Sequence, residues 1–328
     1  MEVVKSGQYS YHRKLRLATN ESTMDTPQAP LKVKESVRAL LNGVIDYAGL
    51  FPPAALSMPE AVLNYATYRN SNYNWMLGRF VVTAARLEEF YESARDFISR
   101  DAGRTWRVTV VAGESMLEAI RLVEDFNAVK GPGIMCDTIE IRATNSSLIE
   151  TATKALSRGV KAYFEIPVDE TMLDLVATIS LVDQRAKLRT GGITPEAFPS
   201  TQEIIRFVRV CLAANVLFKA TAGLHHPIRC FRPLTYENNA PSGTMHGFLN
   251  LFLMTGFARE GYRAALLEDL MEEEFEEVFH FADQSAAWRD DYTLNIWQLE
   301  RLRSHGIQSF GSCSFDEPIS DLQKLGIL

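Results

Sequence analysis

The feature that most restricts the fold of this chain is a strand–helix alternation repeated eight times. From about Val33 onward, short β-branched or aromatic runs follow polar turns, and most are trailed by a longer segment with helical spacing. The expected strands are Gly43–Leu50, Leu77–Thr83, Trp106–Ala112, Thr138–Thr144, Ala162–Pro167, Ala186–Thr190, Val216–Thr221 and Gln308–Ser312. Between them, Leu87–Ser99, Met116–Val129, Ser147–Arg158, Glu170–Ile179 and Thr201–Ala214 carry apolar residues at i, i+3, i+4 and i+7, the stripe of an amphipathic helix. Strands separated by helices pair in parallel through right-handed crossovers. Eight such units in 328 residues predict an α/β fold of the (β/α)8 TIM-barrel type, for which ~250 residues is typical. The alternative is an open doubly wound sheet, but no GxGxxG follows the first strand.

The expected organisation is a polar N-terminal arm over residues 1–32 and a single barrel domain over 33–328, with a long insertion at about 227–304 between the seventh and eighth strands. That insertion holds a turn-rich loop from Pro233 to Gly243, an apolar helix after His246 suited to a lid or a dimer contact, and an acidic run from Glu268 to Glu277. The acidic run is expected to be a solvated helix face. Insertions in the loops after barrel strands usually cap the active-site face.

Composition narrows the function classes. A net charge of −7 with no basic stripe argues against a nucleic-acid partner or an anionic membrane surface. The four cysteines, Cys136, Cys211, Cys230 and Cys313, show no CxxC spacing, so a zinc ribbon or disulfide scaffold is not expected. With no apolar run suited to a signal peptide near Met1, a reducing cytoplasm is the expected location. The apolar stretch Gly247–Ala258 is too short to span a bilayer.

In a TIM barrel, residues at the C-terminal strand ends build the site. Two lysines stand there, each ending an apolar run and opening a glycine turn: Lys187 before Thr190-Gly191-Gly192, and Lys219 before Thr221-Ala222-Gly223. Burial penalises an ammonium, and two such groups would depress each other's pKa further, toward a nucleophilic amine. Lys187 and Arg189 share one strand face, as do Glu140 and Arg142, and Lys161 and Glu165. Glu165 suits an acid/base role or, equally, a salt bridge to Lys187. Asp46 suits a carboxylate that holds a lysine or caps a loop, and Pro52-Pro53 suits a structural turn. Adjacent His225 and His226 point to opposite sides of an extended chain, so they suit substrate binding better than a shared metal. Ser312, Cys313 and Ser314 follow the last strand, where barrels commonly bind anions. Cys313 has no base near it in sequence and suits a small packing thiol.

Taken in order, these segments resemble the deoxyribose-phosphate aldolase family of class I, Schiff-base aldolases. Ile45-Asp46-Tyr47-Ala48-Gly49-Leu50 before Pro52 is similar to that family's Ile-Asp-His-Thr-Leu-Leu-Lys-Pro. Lys161 to Glu165 is similar to its Lys-x-x-x-Glu strand, and Lys187-x-x-Thr190-Gly191 to its Lys-x-x-Thr-Gly, which carries the Schiff-base lysine. Lys219-Ala-Thr-Ala-Gly223-Leu resembles Lys-Pro-Ala-Gly-Gly-Ile, and Phe310 to Ser314 resembles the Phe-Gly-Ala-Ser-Ser phosphate turn. The chain departs from the pattern at Arg142, which replaces the Asp of the family's proton relay. Ala222 replaces a turn glycine, and His225 stands at a basic position.

The resemblance implies a divergent lyase that acts on a small anionic carbonyl compound through a Schiff base on Lys187. Lys219 would keep Lys187 neutral by like-charge repulsion, and Glu165 or Glu140 would shuttle protons. Arg142, Lys161, Arg189, Thr190, Gly191, Gly192, Gly223, His225, His226, Ser312, Cys313 and Ser314 would hold the anion. No metal or other cofactor is expected, and a homo-oligomer is possible. The competing readings are a barrel isomerase or decarboxylase without covalent catalysis, and a non-catalytic anion-binding barrel.

Overall fold

The structure is a computed structural model and describes residues 33–99 and 104–328. The expected arm over residues 1–32 lies outside the described residues. The strands in chain order are β1 (Ile45–Tyr47), β2 (Leu77–Thr83), β3 (Trp106–Val111), β4 (Ile134–Arg142), β5 (Lys161–Glu165), β6 (Arg185–Arg189), β7 (Phe218–Thr221), β8 (Cys230–Pro233), β9 (Ser242–Met245), β10 (Phe279–Ala282), β11 (Ser285–Trp288), β12 (Tyr292–Asn295) and β13 (Ile307–Ser312). β1 to β7 and β13 close into a parallel barrel, in the order β1-β13-β7-β6-β5-β4-β3-β2. Helices alternate with them, so the fold is a (β/α)8 TIM barrel.

The helices are α1 (Glu35–Leu41), α2 (Met58–Tyr68), α3 (Leu87–Ala94), α4 (Met116–Val129), α5 (Ser146–Ala155), α6 (Met172–Leu181), α7 (Thr201–Ala213), α8 (Phe248–Arg259), α9 (Ala264–Met271), α10 (Ile296–His305) and α11 (Asp316–Lys324). Their starts follow from the sequence. Asn145 accepts a hydrogen bond from the Leu148 N–H, and Ser200 with Glu203 forms a capping box, which satisfies amides left without intrahelical partners. Two strand boundaries differ from expectation by three or more residues. β1 stops at Tyr47 because the chain turns there, Phe51 N–H bonding to Ala48 O. β4 starts at Ile134, which pairs with Trp106 well before Thr138.

Between β7 and β13, β8 and β9 form an antiparallel hairpin and β10 to β12 a three-stranded meander. The apolar helix α8 is buried from Phe248 to Phe257, and Phe248 stacks on Phe310 of β13 with centroids 4.8 Å apart. It is therefore neither lid nor exposed dimer face. It occupies the helical layer between β13 and α9, which is where an all-round apolar helix belongs. The acidic run is not wholly solvated either. Glu273 is buried, accepting from the Trp288 indole N–H at 3.2 Å and from Arg289 Nε at 2.8 Å.

Candidate active site

Parallel register decides which side chains meet. Arg142 pairs with Glu165, Glu165 with Lys187, and Lys187 with Lys219, so four strand-end positions lie side by side from β4 to β7. Asp46 on β1 pairs with Gly311 on β13 and completes the cluster from the other side.

The two lysines are buried, and both are ion-paired. Lys187 Nζ lies 2.6 Å from Glu140 Oε2 and 2.9 Å from Glu165 Oε2. Lys219 Nζ lies 2.5 Å from Asp46 Oδ2 and 2.7 Å from Glu140 Oε1. Asp46 also accepts from Ser309 Oγ at 2.8 Å and from the Arg79 N–H at 2.9 Å. For Lys219, burial would lower the pKa, but Asp46 and then Glu140 outweigh it and hold the amine well above the ordinary lysine range. The expected depression of Lys219 is thus overturned: a like-charged neighbour loses to two carboxylates in direct contact. For Glu140, burial raises the pKa, but Lys187 and Lys219 pull it down to about 2.

Above the lysines opens a cavity of about 620 Å³. Lys187, Glu140 and Glu165 line it, whereas Lys219 and Asp46 lie beneath its floor. Arg142 and Arg189 stand exposed at its rim, and Arg142 Nη2 lies 3.7 Å from Glu165 Oε1. Gly192 and Gly223 supply backbone to the wall. Gly223 and Ala222 both have positive φ, which forms the tight turn after β7.

Several expected residues serve the frame instead. Lys161 starts β5, at the opposite end of the barrel, and its Nζ donates to Asp183. Four residues of β5 separate it from the site end, so sharing a strand face with Glu165 does not bring it there. Thr190 Oγ1 donates to the carbonyls of Thr221 and Ala222, tying two turns together. Gly191 is packed against the Phe198 ring. His226 Nδ1 lies 2.6 Å from Asp321 Oδ2 and faces away from the main cavity. Ser312 Oγ accepts from the Ser314 N–H, and Ser314 Oγ accepts from the Glu317 N–H, so both shape the turn into α11.

His225 and Cys313 do line the cavity, and they are partners: Cys313 Sγ lies 3.8 Å from His225 Nδ1. The base that Cys313 lacks in sequence comes from the turn after β7, 88 residues away. Phe51, Val81 and Val111, which no motif in the sequence marks, form an apolar wall with Pro52 and Pro53. Pro52-Pro53, expected to be only a turn, is joined by a cis peptide and belongs to that wall.

Among the described residues, no group of three or more His, Cys, Asp or Glu side chains is placed to hold a metal ion, and no helix is long and apolar enough to cross a membrane. A lysine amine between two carboxylates on a cavity floor can exchange its proton with either and present a lone pair to a bound carbonyl. No protein-family model matches the chain, and a comparison with curated proteins finds no match.

Proposed function

We propose that the chain is a carbon–carbon lyase of the class I aldolase type, a divergent relative of the deoxyribose-phosphate aldolases, acting on a small anionic carbonyl compound. The observation that carries this reading is the position of Lys187, whose amine faces a 620 Å³ cavity with Glu140 at 2.6 Å and Glu165 at 2.9 Å. Glu165 is the more exposed of the two carboxylates and is placed to take the lysine proton. The freed amine adds to the substrate carbonyl, and loss of water gives an iminium. Glu165, having given its proton to the departing water, takes the proton of the substrate's β-hydroxyl as the electron pair of the breaking carbon–carbon bond flows into the iminium, leaving an enamine and an aldehyde. Protonation and hydrolysis release the second fragment and restore the lysine.

Lys219 stays cationic beneath the floor, so Glu140, shared between the two lysines, is held ionised. Arg142 and Arg189 at the rim supply charge for the substrate anion. The Asp that the related aldolases carry at the Arg142 position is replaced in this scheme by Glu140 and Glu165, which reach Lys187 from β4 and β5.

One observation favours a second reading. The same two carboxylates stabilise an ammonium at Lys187, and an ammonium can act as an acid in a non-covalent isomerase or decarboxylase. Borohydride treatment with a panel of small aldehydes and keto acids, read by intact mass, separates the two. The aldolase reading expects a substrate-dependent adduct on the Lys187 peptide that disappears in Lys187→Ala. Folded protein that gives no adduct with any panel member points to the non-covalent reading.

A further inference from the structure

We infer that Cys313 and His225 form a second covalent site in the same cavity, where the Cys313 thiolate adds reversibly to an aldehyde and the His225 imidazolium protonates the oxygen. Four groups from three separate segments converge there. Cys313 follows β13, His225 follows β7, Glu317 lies in the first turn of α11, and Tyr236 comes from the loop between β8 and β9. The thiol sulfur lies 3.8 Å from His225 Nδ1 and 3.8 Å from the Tyr236 hydroxyl. Glu317 Oε2 lies 3.3 Å from the same ring nitrogen and accepts from Tyr236 at 3.2 Å. A thiol beside an imidazole that a carboxylate orients has the parts of an activated sulfur nucleophile.

Contrast with the other thiols strengthens the assignment. Cys136 and Cys211 are buried, and burial pushes both far up, out of the reactive range. Cys313 is also buried, but it lines the cavity and has polar partners. Burial lowers the pKa of His225, yet Cys313 and Glu317 outweigh it and raise the imidazole to about 9, which keeps it charged at neutral pH.

The step balances without an oxidant. The sulfur lone pair forms the C–S bond, the carbonyl π pair moves to oxygen, and that oxygen takes the proton from His225. The product is a hemithioacetal, and the reverse sequence returns the aldehyde and the thiolate–imidazolium pair. That the aldehyde comes from cleavage at Lys187 rests on the aldolase reading, but the reactivity of the thiol does not.

The test is alkylation of the full-length protein by iodoacetamide, with peptide mass mapping. The titratable groups around the thiol are His225, Glu317 and Tyr236, with Tyr47 within electrostatic reach. From pH 6 to pH 8 the rate of glutathione as a free thiol rises roughly seventy- to eightyfold, and the Cys313 rate is expected to rise at least about fivefold less than that. In His225→Asn the Cys313 profile should become as steep as that of glutathione. In Lys187→Ala, which cannot form the Schiff base, propanal should slow Cys313 alkylation and propan-1-ol should not. A glutathione-like profile in the wild type, or equal effects of propanal and propan-1-ol, overturns the site. Should His225→Asn not fold, the wild-type profile decides. Propanal protection without any borohydride adduct keeps this site and removes the aldolase reading.

Discussion

Lys187 and Lys219 are direct register partners on neighbouring parallel strands, and Glu140 places one carboxylate oxygen on each amine, at 2.6 Å and 2.7 Å. Two ammonium groups side by side in a barrel interior would be costly without it, because charge repulsion grows as the surroundings dry out. Their surroundings divide their roles. Lys187 opens onto the cavity, whereas Lys219 is sealed beneath it with Asp46. The outer lysine can be reached from the cavity, and the inner one fixes the electrostatics below.

The sealed pair gives the first prediction. Lys219→Met takes from Asp46 its lysine partner while Glu140 keeps Lys187, and Asp46→Asn leaves Lys219 with Glu140 alone. Lys219→Met should cost about 3–5 kcal/mol, the usual penalty for leaving a buried charge without its counter-ion, and Asp46→Asn should cost less, because Lys219 keeps Glu140. The double variant should cost less than the sum by about 1–3 kcal/mol, because it removes both ends of one contact. Urea unfolding of the four proteins measures this, and strict additivity would show that the two side chains are not coupled.

Lys161 provides a contrasting case. It pairs with the exposed Asp183 at the far end of β5. Lys161→Ala should change stability by less than about 1 kcal/mol, as for other exposed ion pairs. It should leave borohydride trapping at Lys187 unaltered. A loss of trapping in folded Lys161→Ala protein would mean that the strand ends communicate in a way the contacts do not suggest.

These two lysines also mark what the sequence makes legible. Alternating strands and helices announce the barrel, and a residue's place along its strand tells which end it occupies. Lys187, Lys219, Glu140 and Glu165 can be found that way, because parallel register carries neighbours in the pattern into neighbours in space. Partnerships made by loops are hidden. Cys313 meets His225 and Tyr236 only through turns after different strands, and no spacing rule records that. The sign of the Lys219 shift was hidden for a related reason. The like charge is visible one strand away, but Asp46 on β1 comes near β7 only because β13, the last strand in the chain, closes the barrel between them.

The third prediction concerns pH. His225 is buried against Glu317 and Cys313, and its folded pKa of about 9 exceeds the ordinary 6.5. A group raised on folding stabilises fully below its unfolded pKa and loses that contribution as pH climbs through the folded one. The stability that His225 contributes should therefore fade between about pH 6.5 and pH 9. Tyr236 does not titrate in that window, since burial first, and then Cys313 and Glu317, push its hydroxyl upward. His225→Asn should flatten this part of the profile when melting is followed by circular dichroism. An unchanged slope in the variant would assign the effect to another group.

The last prediction tests how the turns after β6 and β7 are locked together. A Cβ on Gly191 would stand 2.5 Å from Phe198 Cε1, and one on Gly223 would stand 2.6 Å from the same atom. One ring therefore fills the space that two glycines leave, and it holds the turns that carry Gly192 and Arg189 to the cavity. Gly191→Ala should cost about 1–3 kcal/mol through overpacking. Gly223→Ala should cost more, because its φ of +74° adds about 1–2 kcal/mol of left-handed strain for a residue with a Cβ. Phe198→Ala separates the two causes. In that background Gly191→Ala should become much less costly, since the three atoms nearest its Cβ all belong to the ring, while Gly223→Ala should keep its backbone penalty. Chemical denaturation of the six proteins supplies the comparison. If both glycine substitutions stay equally costly without the ring, Phe198 is not what fixes the turns.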